Sequence, residues 1–405
     1  MRAVSTPRST PATRAALGDV RVLELGSLIA GPYASAVFAQ FGAEVIKIEA
    51  PGQGDPLRTW RKLHEGTSLW WRSQSRNKKS VALNLQTAEG QRIIRELCRT
   101  TDVVIENFRP GTLERWGIGY ETLREINPKL VMVRVSGYGQ TGPRRDLPGF
   151  AAIAEAMGGL RYSTGYPDRP PVRTGFSLGD TLAGLHGAIG ALVALHHARA
   201  TGVGQLVDVA LYESVLAVTE SMIPEYGHLG FVRERTGASL PGIAPSNTYR
   251  CSDGADLVIG ANSDAIFKRL MRAIGRDDLA EEPALERNDG RVSHVERIDA
   301  AIEAWTASRP VAEALAALEA ADVPAGRIYS AADVHGDPHV RAREVIERHA
   351  LADGTPIDLV GAVPKLGETP GATKWVGPEL GEHTQEVLRA LGIDGEELES
   401  LRKQG

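Results

Sequence analysis

The sequence predicts an α/β fold: a Rossmann-like large domain with a mainly parallel sheet, joined to a smaller α+β domain. Three observations carry this. Short apolar runs alternate with helical stretches from Val20 to Gly139, the pattern of a parallel sheet with crossover helices. After about residue 226 the pattern changes to a hairpin followed by helices. The chain has 405 residues, too many for one hydrophobic core.

In order, VRVLEL is a first strand, YASAVFAQFGA a helix and EVIKIE a second strand. A turn-rich PGQGDP and a Trp- and Arg-rich segment follow. SVALNL is a third strand, AEGQRIIRELCRT an amphipathic helix and DVVIEN a fourth strand. One or two short helices lead to KLVMVRVSGYG, a fifth strand. Gly175–Leu195 is long, apolar and rich in Ala and Gly, so it is expected to be a helix buried on all faces. GQLVDVALYES resumes with a strand, and TYRCSDGADLVIGAN is a hairpin turning at Asp253-Gly254. The expected divisions are a disordered tail at 1–18, the large domain at 19–225, the small domain at 226–340 and a C-terminal segment, 341–405, returning to the large domain. Helices are expected at HTQEVLRALGI and EELESLRKQ.

Composition narrows the function. A net charge of −5 gives no reason to expect a nucleic-acid partner. Cys98 and Cys251 lie in no CxxC spacing, which argues against a disulfide framework or structural zinc and suits a cytoplasmic location. No apolar run reaches about 18 residues without a polar interruption, so no membrane partner is expected. His196-His197 ends the central helix, where cations are dipole partners more often than metal ligands; no metal site is expected.

In parallel sheets, ligands bind beyond the C-terminal ends of the strands. This points to GSLIAGP, ENFRPG and SGYGQTGP. The last contains a literal G-x-G-x-x-G, Gly137 to Gly142, but Pro143, Arg144, Arg145, Asp146, Leu147 and Pro148 follow. A dinucleotide fingerprint must open a helix, so a nicotinamide-dependent oxidoreductase is the weaker reading. Asp180, near the start of the apolar helix, reads either as an N-cap or as a reactive carboxylate; the residues alone leave both open. Arg76-Asn77-Lys78-Lys79 reads as a phosphate-holding run or a solvated strand entry.

These segments, in this order, resemble the class III CoA-transferases, the formyl-CoA and carnitine CoA-transferase family. The match runs through VLELGSLIAGPYAS, FGAEVIKIEAPGQGD, RNKKSVALNL, DVVIENFRPGTLERWG, NPKLVMVRVSGYGQTGP, the Asp180 helix, GQLVDVALYES and PELGEHTQEVL. The resemblance implies that Asp180 is the nucleophile, passing through aspartyl anhydride and aspartyl-CoA thioester intermediates. It places CoA against Leu28, Ile29, Ala30, Lys78, Lys79, Leu83, Asn107, Phe108 and Arg115. It places the substrate pocket at Trp60, Trp70, Tyr138 and Phe150. No cofactor is expected to be permanently bound: CoA thioesters and small carboxylic acids are the substrates. The family fold implies an interlocked homodimer.

Departures refine the substrate. Ile29 and Ala50 stand where formyl-CoA transferase has a glutamine and an arginine, and its glycine-rich lid is replaced by GASLPGIAPSN. The likeness is to transferases that use succinyl-CoA and a hydroxy-dicarboxylate such as malate or citramalate. Arg58, Arg72, Arg76, Arg144, Arg145, Arg161 and Arg173 are candidates for clamping a distal carboxylate. The alternative within the superfamily is an acyl-CoA racemase, but its His-Asp pair is replaced by Phe150-Ala151. A non-catalytic CoA-binding protein is the remaining reading.

Overall fold

The computed structural model describes residues 15–395 and Leu398. Six strands form its main sheet: β1 (Arg21–Glu24), β2 (Glu44–Glu49), β3 (Lys78–Ala82), β4 (Val103–Glu106), β5 (Val131–Ser136) and β6 (Leu206–Ala210). All neighbours pair in parallel, in the order β3-β2-β1-β4-β5-β6. The chain winds outward from β1 in one direction, then crosses back to β4 and winds the other way. This doubly wound order puts the topological switch point between β1 and β4, where the loops leaving the strands part to form a crevice.

Both faces of the sheet are covered, so apolar residues of its central strands are buried on both sides. Val22, Val45, Val103 and Val133 pack on one side with helices α1 (Ala30–Gln40) and, later in the chain, Leu178–Thr201. Leu23, Ile46, Val104 and Met132 pack on the other with α2 (Ala88–Cys98), where Ile93, Ile94, Leu97 and Cys98 form the apolar stripe. Thr87 caps α2 by accepting from Gly90 N–H. Val387 and Leu388, from the helix Thr384–Ala390, join this second layer.

The chain divides into two compact units. Among the described residues, one comprises 15–160, 174–220 and 344–395 with Leu398; the other comprises 161–173 and 221–343. The expected small domain, 226–340, lies within the second unit, which also takes 161–173. That unit has its own three-stranded sheet, with Ser246–Arg250 antiparallel to Asp256–Gly260 and Gly254 at φ 79° in the turn between them. Residues 1–14 of the expected tail, and most of EELESLRKQ, lie outside the described residues. Residues 15–18 are not a loose tail: Leu17 donates its N–H to Phe41 O at 3.0 Å and packs on the core.

The central helix departs from expectation. α3 (Ala151–Met157) precedes it, and α4 (Leu178–Thr201) is the apolar helix itself. Only one of its faces is buried: Gly179, Ala183, Gly184, Gly187, Ala188, Ala191, Ala194, Leu195 and Ala198. Ile189 is 57% exposed and Val193 65%. The helix is long and apolar enough to span a membrane by length and composition, but its small-residue face packs on α1 and the sheet. Small residues set that contact. A Cβ on Gly184 would lie 2.8 Å from Ala30 O and 2.9 Å from the Tyr33 side chain, so α1 and α4 touch backbone to backbone there.

Around β1, β2 and the start of β3, buried charge takes the place of carbon. Glu24, Glu49, Asp55, Lys47, Lys78 and Arg58 are all buried. Lys47 binds Glu24 at 2.6 Å and Asp55 at 2.8 Å. Lys78 binds Glu24 at 2.8 Å. Arg58 meets Glu49 with two donors, at 2.7 and 2.8 Å. Three anions face three cations, so the charge is balanced, as burial demands.

Burial works to raise the Glu24 pKa, but Lys47 and Lys78 more than offset it and hold the carboxyl at about 2. Unfolded, the group titrates near 4.5. Its stabilisation is therefore complete above pH 4.5 and lost as the pH falls toward 2, about 3 kcal/mol in all. Denaturant titrations at pH 7 and pH 3 check this. Glu24→Gln is expected to remove about 3–5 kcal/mol at pH 7, because it leaves two buried ammonium groups short of a counter-ion. Gly184→Val is expected to cost about 1–3 kcal/mol by forcing α1 and α4 apart, read as a fall in the denaturant midpoint at unchanged slope.

Candidate active site

The loop after β1 is held in one shape from several sides. Leu28 turns the backbone into the left-handed region, φ 66°. Its N–H donates to both carboxylate oxygens of Asp55, at 3.0 and 3.1 Å. Its carbonyl accepts from Gln74 Nε2 at 2.7 Å. Asn107, just past β4, pairs with Ser27 as a strand would: its Oδ1 accepts the Ser27 N–H and its Nδ2 donates to Ser27 O, both at 2.8 Å. A Cβ on Gly26 would sit 2.6 Å from Asn107 Oδ1, so glycine is what lets the two loops meet at the switch point.

Two clefts flank this loop. The first, about 230 Å³, lies at the C-terminal ends of the strands and is lined by Gly26, Ser27, Leu83, Gln86, Phe108 and Trp116, among others. Phe108 and Trp116 meet edge to face with centroids 5.2 Å apart. Their apolar faces suit a flat heterocycle. Arg115 is exposed nearby on the short helix Thr112–Arg115 and bonds Thr112 Oγ1 at 2.9 Å.

The second cleft, about 290 Å³, is lined by Ile29, Tyr33, Trp70, Gln74, Ser177 and Thr181, with Arg61 and Arg76 also in its wall. Asp180 falls between Ser177 and Thr181 in the first turn of α4. The N-cap reading of Asp180 is corrected: the cap position is Ser177, which makes no side-chain cap bond, and Asp180 is the third residue of the helix. A carboxylate there is favoured by the positive end of the helix dipole. Gly179 N–H, one residue earlier, donates to Glu155 Oε1 at 3.3 Å. Glu155 is 1% exposed. Sequence reasoning passed over it; its one signal is an acid in the otherwise small and apolar AAIAEAMGG.

The structure gathers some expected residues and reassigns others. Leu83 and Phe108 line the first cleft, and Ile29 and Trp70 the second. Leu28 shapes the loop that joins them, and Ala30 opens α1. Lys78 does not hold phosphate: it is fully buried, its ammonium bound to Glu24 and the Pro32 carbonyl. Lys79 is spent on Glu44 and Glu386, at 2.8 and 2.7 Å. The Asn107 amide is likewise committed to Ser27. Trp60 packs against Trp70, centroids 6.4 Å apart, without lining the cleft. Tyr138 pairs with Tyr212, and Phe150 precedes α3 at 68% exposure; neither lines the cleft. Phe150 stands where the racemase reading wants a histidine base, and its neighbour Ala151 packs against Gly179.

Of the arginine candidates, Arg58 is locked to Glu49. Arg72 is taken by Glu379 and the Gly377 carbonyl, and Arg145 pairs with Asp146. Arg144 lies against Met157 Sδ. Arg161 and Arg173 belong to the second unit. Only Arg76 of the seven lines the second cleft. The glycine decoy is a loop: Gly139 and Gly142 have positive φ, and the next helix starts at Ala151. Among the described residues, the one grouping of His and carboxylates close enough to share an ion is His64, Glu65 and Asp353. It is largely exposed, and His64 Nε2 already meets Asp353 at 2.9 Å.

Comparison with known proteins agrees with this arrangement. Residues 17–384 match the family model described as CoA-transferase family III. The chain is 50% identical over 388 residues to succinyl-CoA–D-citramalate CoA-transferase of Chloroflexus aurantiacus, covering 95% of this chain and 96% of that protein. It is 43% identical over 391 residues to the beta subunit of succinyl-CoA–L-malate CoA-transferase of the same organism, covering 95% and 96%. The crystal structure of a CAIB/BAIF family protein from Brucella suis superposes with a TM-score of 0.82 at 32% identity, covering 93% of this chain and all of that one. A doubly wound sheet, a shaped loop at its switch point and an acid on the first turn of α4 therefore belong to a chain that is a member of CoA-transferase family III, the class III CoA-transferases.

Proposed function

We propose that this enzyme moves CoA from succinyl-CoA to a hydroxy-dicarboxylate such as malate or citramalate, through covalent intermediates on Asp180. The observation that carries the reading is the position of Asp180, in the helical turn whose neighbours line the second cleft. The 50% identity to a citramalate transferase supports the substrates. The CoA heterocycle occupies the first cleft, and the thioester reaches the second along the Leu28 loop.

The steps balance without any cofactor. The Asp180 carboxylate attacks the succinyl carbonyl; the C–S bond breaks, giving a mixed anhydride and CoA thiolate. The thiolate attacks the aspartyl carbonyl, releasing succinate and leaving an aspartyl-CoA thioester. The acceptor carboxylate attacks that thioester, again freeing thiolate. Attack of the thiolate on the acceptor acyl carbonyl gives the new thioester and restores Asp180. An anhydride needs protection from water, and Ile29, Tyr33 and Trp70 give the cleft apolar walls.

The protein acts as an interlocked homodimer, as the family resemblance implies. The exposed Leu185, Ile189, Leu192 and Val193 stripe of α4 is the kind of apolar face that a second copy covers. The buried cysteines, both free thiols, suit a reducing cytoplasm.

Asp180→Ala is expected to lower CoA exchange at least about 10³-fold while the fold persists, measured by thioester formation and circular dichroism. Full exchange in that variant would sink the covalent route. Sedimentation equilibrium is expected to give twice the 43.4 kDa chain mass, and the double change Ile189→Glu with Val193→Glu to shift the protein toward monomer.

A further inference from the structure

We propose that Arg61 recognises the far carboxylate of a dicarboxylic acid in the second cleft, beside a wall that carries the buried Arg76. This rests on the transferase reading above and names the residue that selects its acid. Arg61 was not among the arginines that the sequence singled out.

Arg61 has an unusual backbone for a residue with a side chain, φ 61°. Such conformations persist where the surroundings impose them, and they cluster at ligand sites. Its guanidinium lies over the Trp70 ring, 4.5 Å from the centroid, and both residues line the cleft. Stacking occupies the face of a guanidinium and leaves its N–H donors, which lie in the plane, able to take a carboxylate side by side. Among the described residues, no carboxylate pairs with Arg61.

Arg76 adds to the same potential. It is 7% exposed. Its Nη1 donates to the Val360 carbonyl and sits 3.5 Å from Thr373 Oγ1, while its Nε is buried with no acceptor among the described residues. Burial lowers the guanidinium pKa, against the opposing influence of Glu347 and Tyr33, so its positive charge is poorly compensated. The cleft therefore offers two cations, the apolar surfaces of Ile29, Tyr33 and Trp70, and the Asp180 turn through Ser177 and Thr181. A short carbon chain with a carboxylate at each end fits that order of chemistry. About 290 Å³ is at the small end for ligand sites, which disfavours long acyl chains.

The test is a competition. Glutarate and valerate, which differ in having a terminal carboxylate or a methyl group, are mixed at equal concentration with succinyl-CoA, and the two new thioesters are counted by mass at early times. Because both acids draw on one donor, the product ratio reports acceptor choice alone. The wild type is expected to favour glutaryl-CoA. Arg61→Ala is expected to reduce the ratio about 30-fold, and Arg61→Lys, which keeps charge but loses the planar fork, about 5-fold. Arg61 is exposed, so neither change threatens the core. An unchanged ratio in both variants, or a wild type without preference, overturns the clamp while the transferase reading stands. A wild type that forms malyl-CoA or citramalyl-CoA but no glutaryl-CoA overturns the clamp alone, and one that forms no thioester from any of these acids overturns the transferase reading, and the clamp with it.

Discussion

Six buried charges fix the site. Taking an ion out of water costs several kcal/mol, and only close, well-bonded partners offset it. Here Lys47 joins Glu24 to Asp55, and Asp55 in turn accepts the Leu28 N–H that holds the loop in its left-handed turn. Lys47 also donates to Gly26 O at 2.9 Å, and Lys78 to Pro32 O at 2.7 Å. Both ends of the loop are thus tied to one charge cluster in the sheet. An apolar cluster of the same volume could fill the space, but it could not dictate where two carbonyls and an N–H must lie.

The architecture was legible because its signals are local. Apolar runs alternating with helices give a parallel sheet, and Asp253-Gly254 gives a hairpin, without knowledge of what lies opposite. The family was legible because its motifs fall in a fixed order along the chain. What failed depended on partners distant in sequence. Lys78 and Lys79 read as a cationic run, but their counter-ions are Glu24, Glu44 and Glu386, contributed by β1, β2 and a C-terminal helix. Asn107 offers a free amide in the sequence and has none in the fold. The composition of α4 suggested burial on every face, yet the covered positions are Ala and Gly, with Leu195. Arg61 was hidden for the opposite reason: in a segment crowded with Arg and Trp, its stacking on Trp70 and its backbone turn leave no sequence trace.

Asp180 gains its meaning from neighbours more than from its own identity. An acid at the third position of a helix is ordinary. The unusual elements are the second carboxylate, Glu155, buried against the preceding N–H, and the two clefts on either side of one loop. The loop's early residues line one cleft and Ile29 lines the other, so a long, two-ended substrate has a continuous edge to follow.

The backbone contact at Gly184 has a further consequence. Ala30, whose carbonyl would meet a side chain there, is the residue at which the Leu28 loop becomes α1. The helix bearing Asp180 is therefore braced against the root of that loop, and neither slides without the other. Asp180 and the loop behave as a single jaw of fixed gape. Arg61 and Trp70 reach the facing wall from a separate stretch, residues 61–70. Rewriting that short stretch would change the wall of the cleft while the span between the loop and the Asp180 turn stays constant.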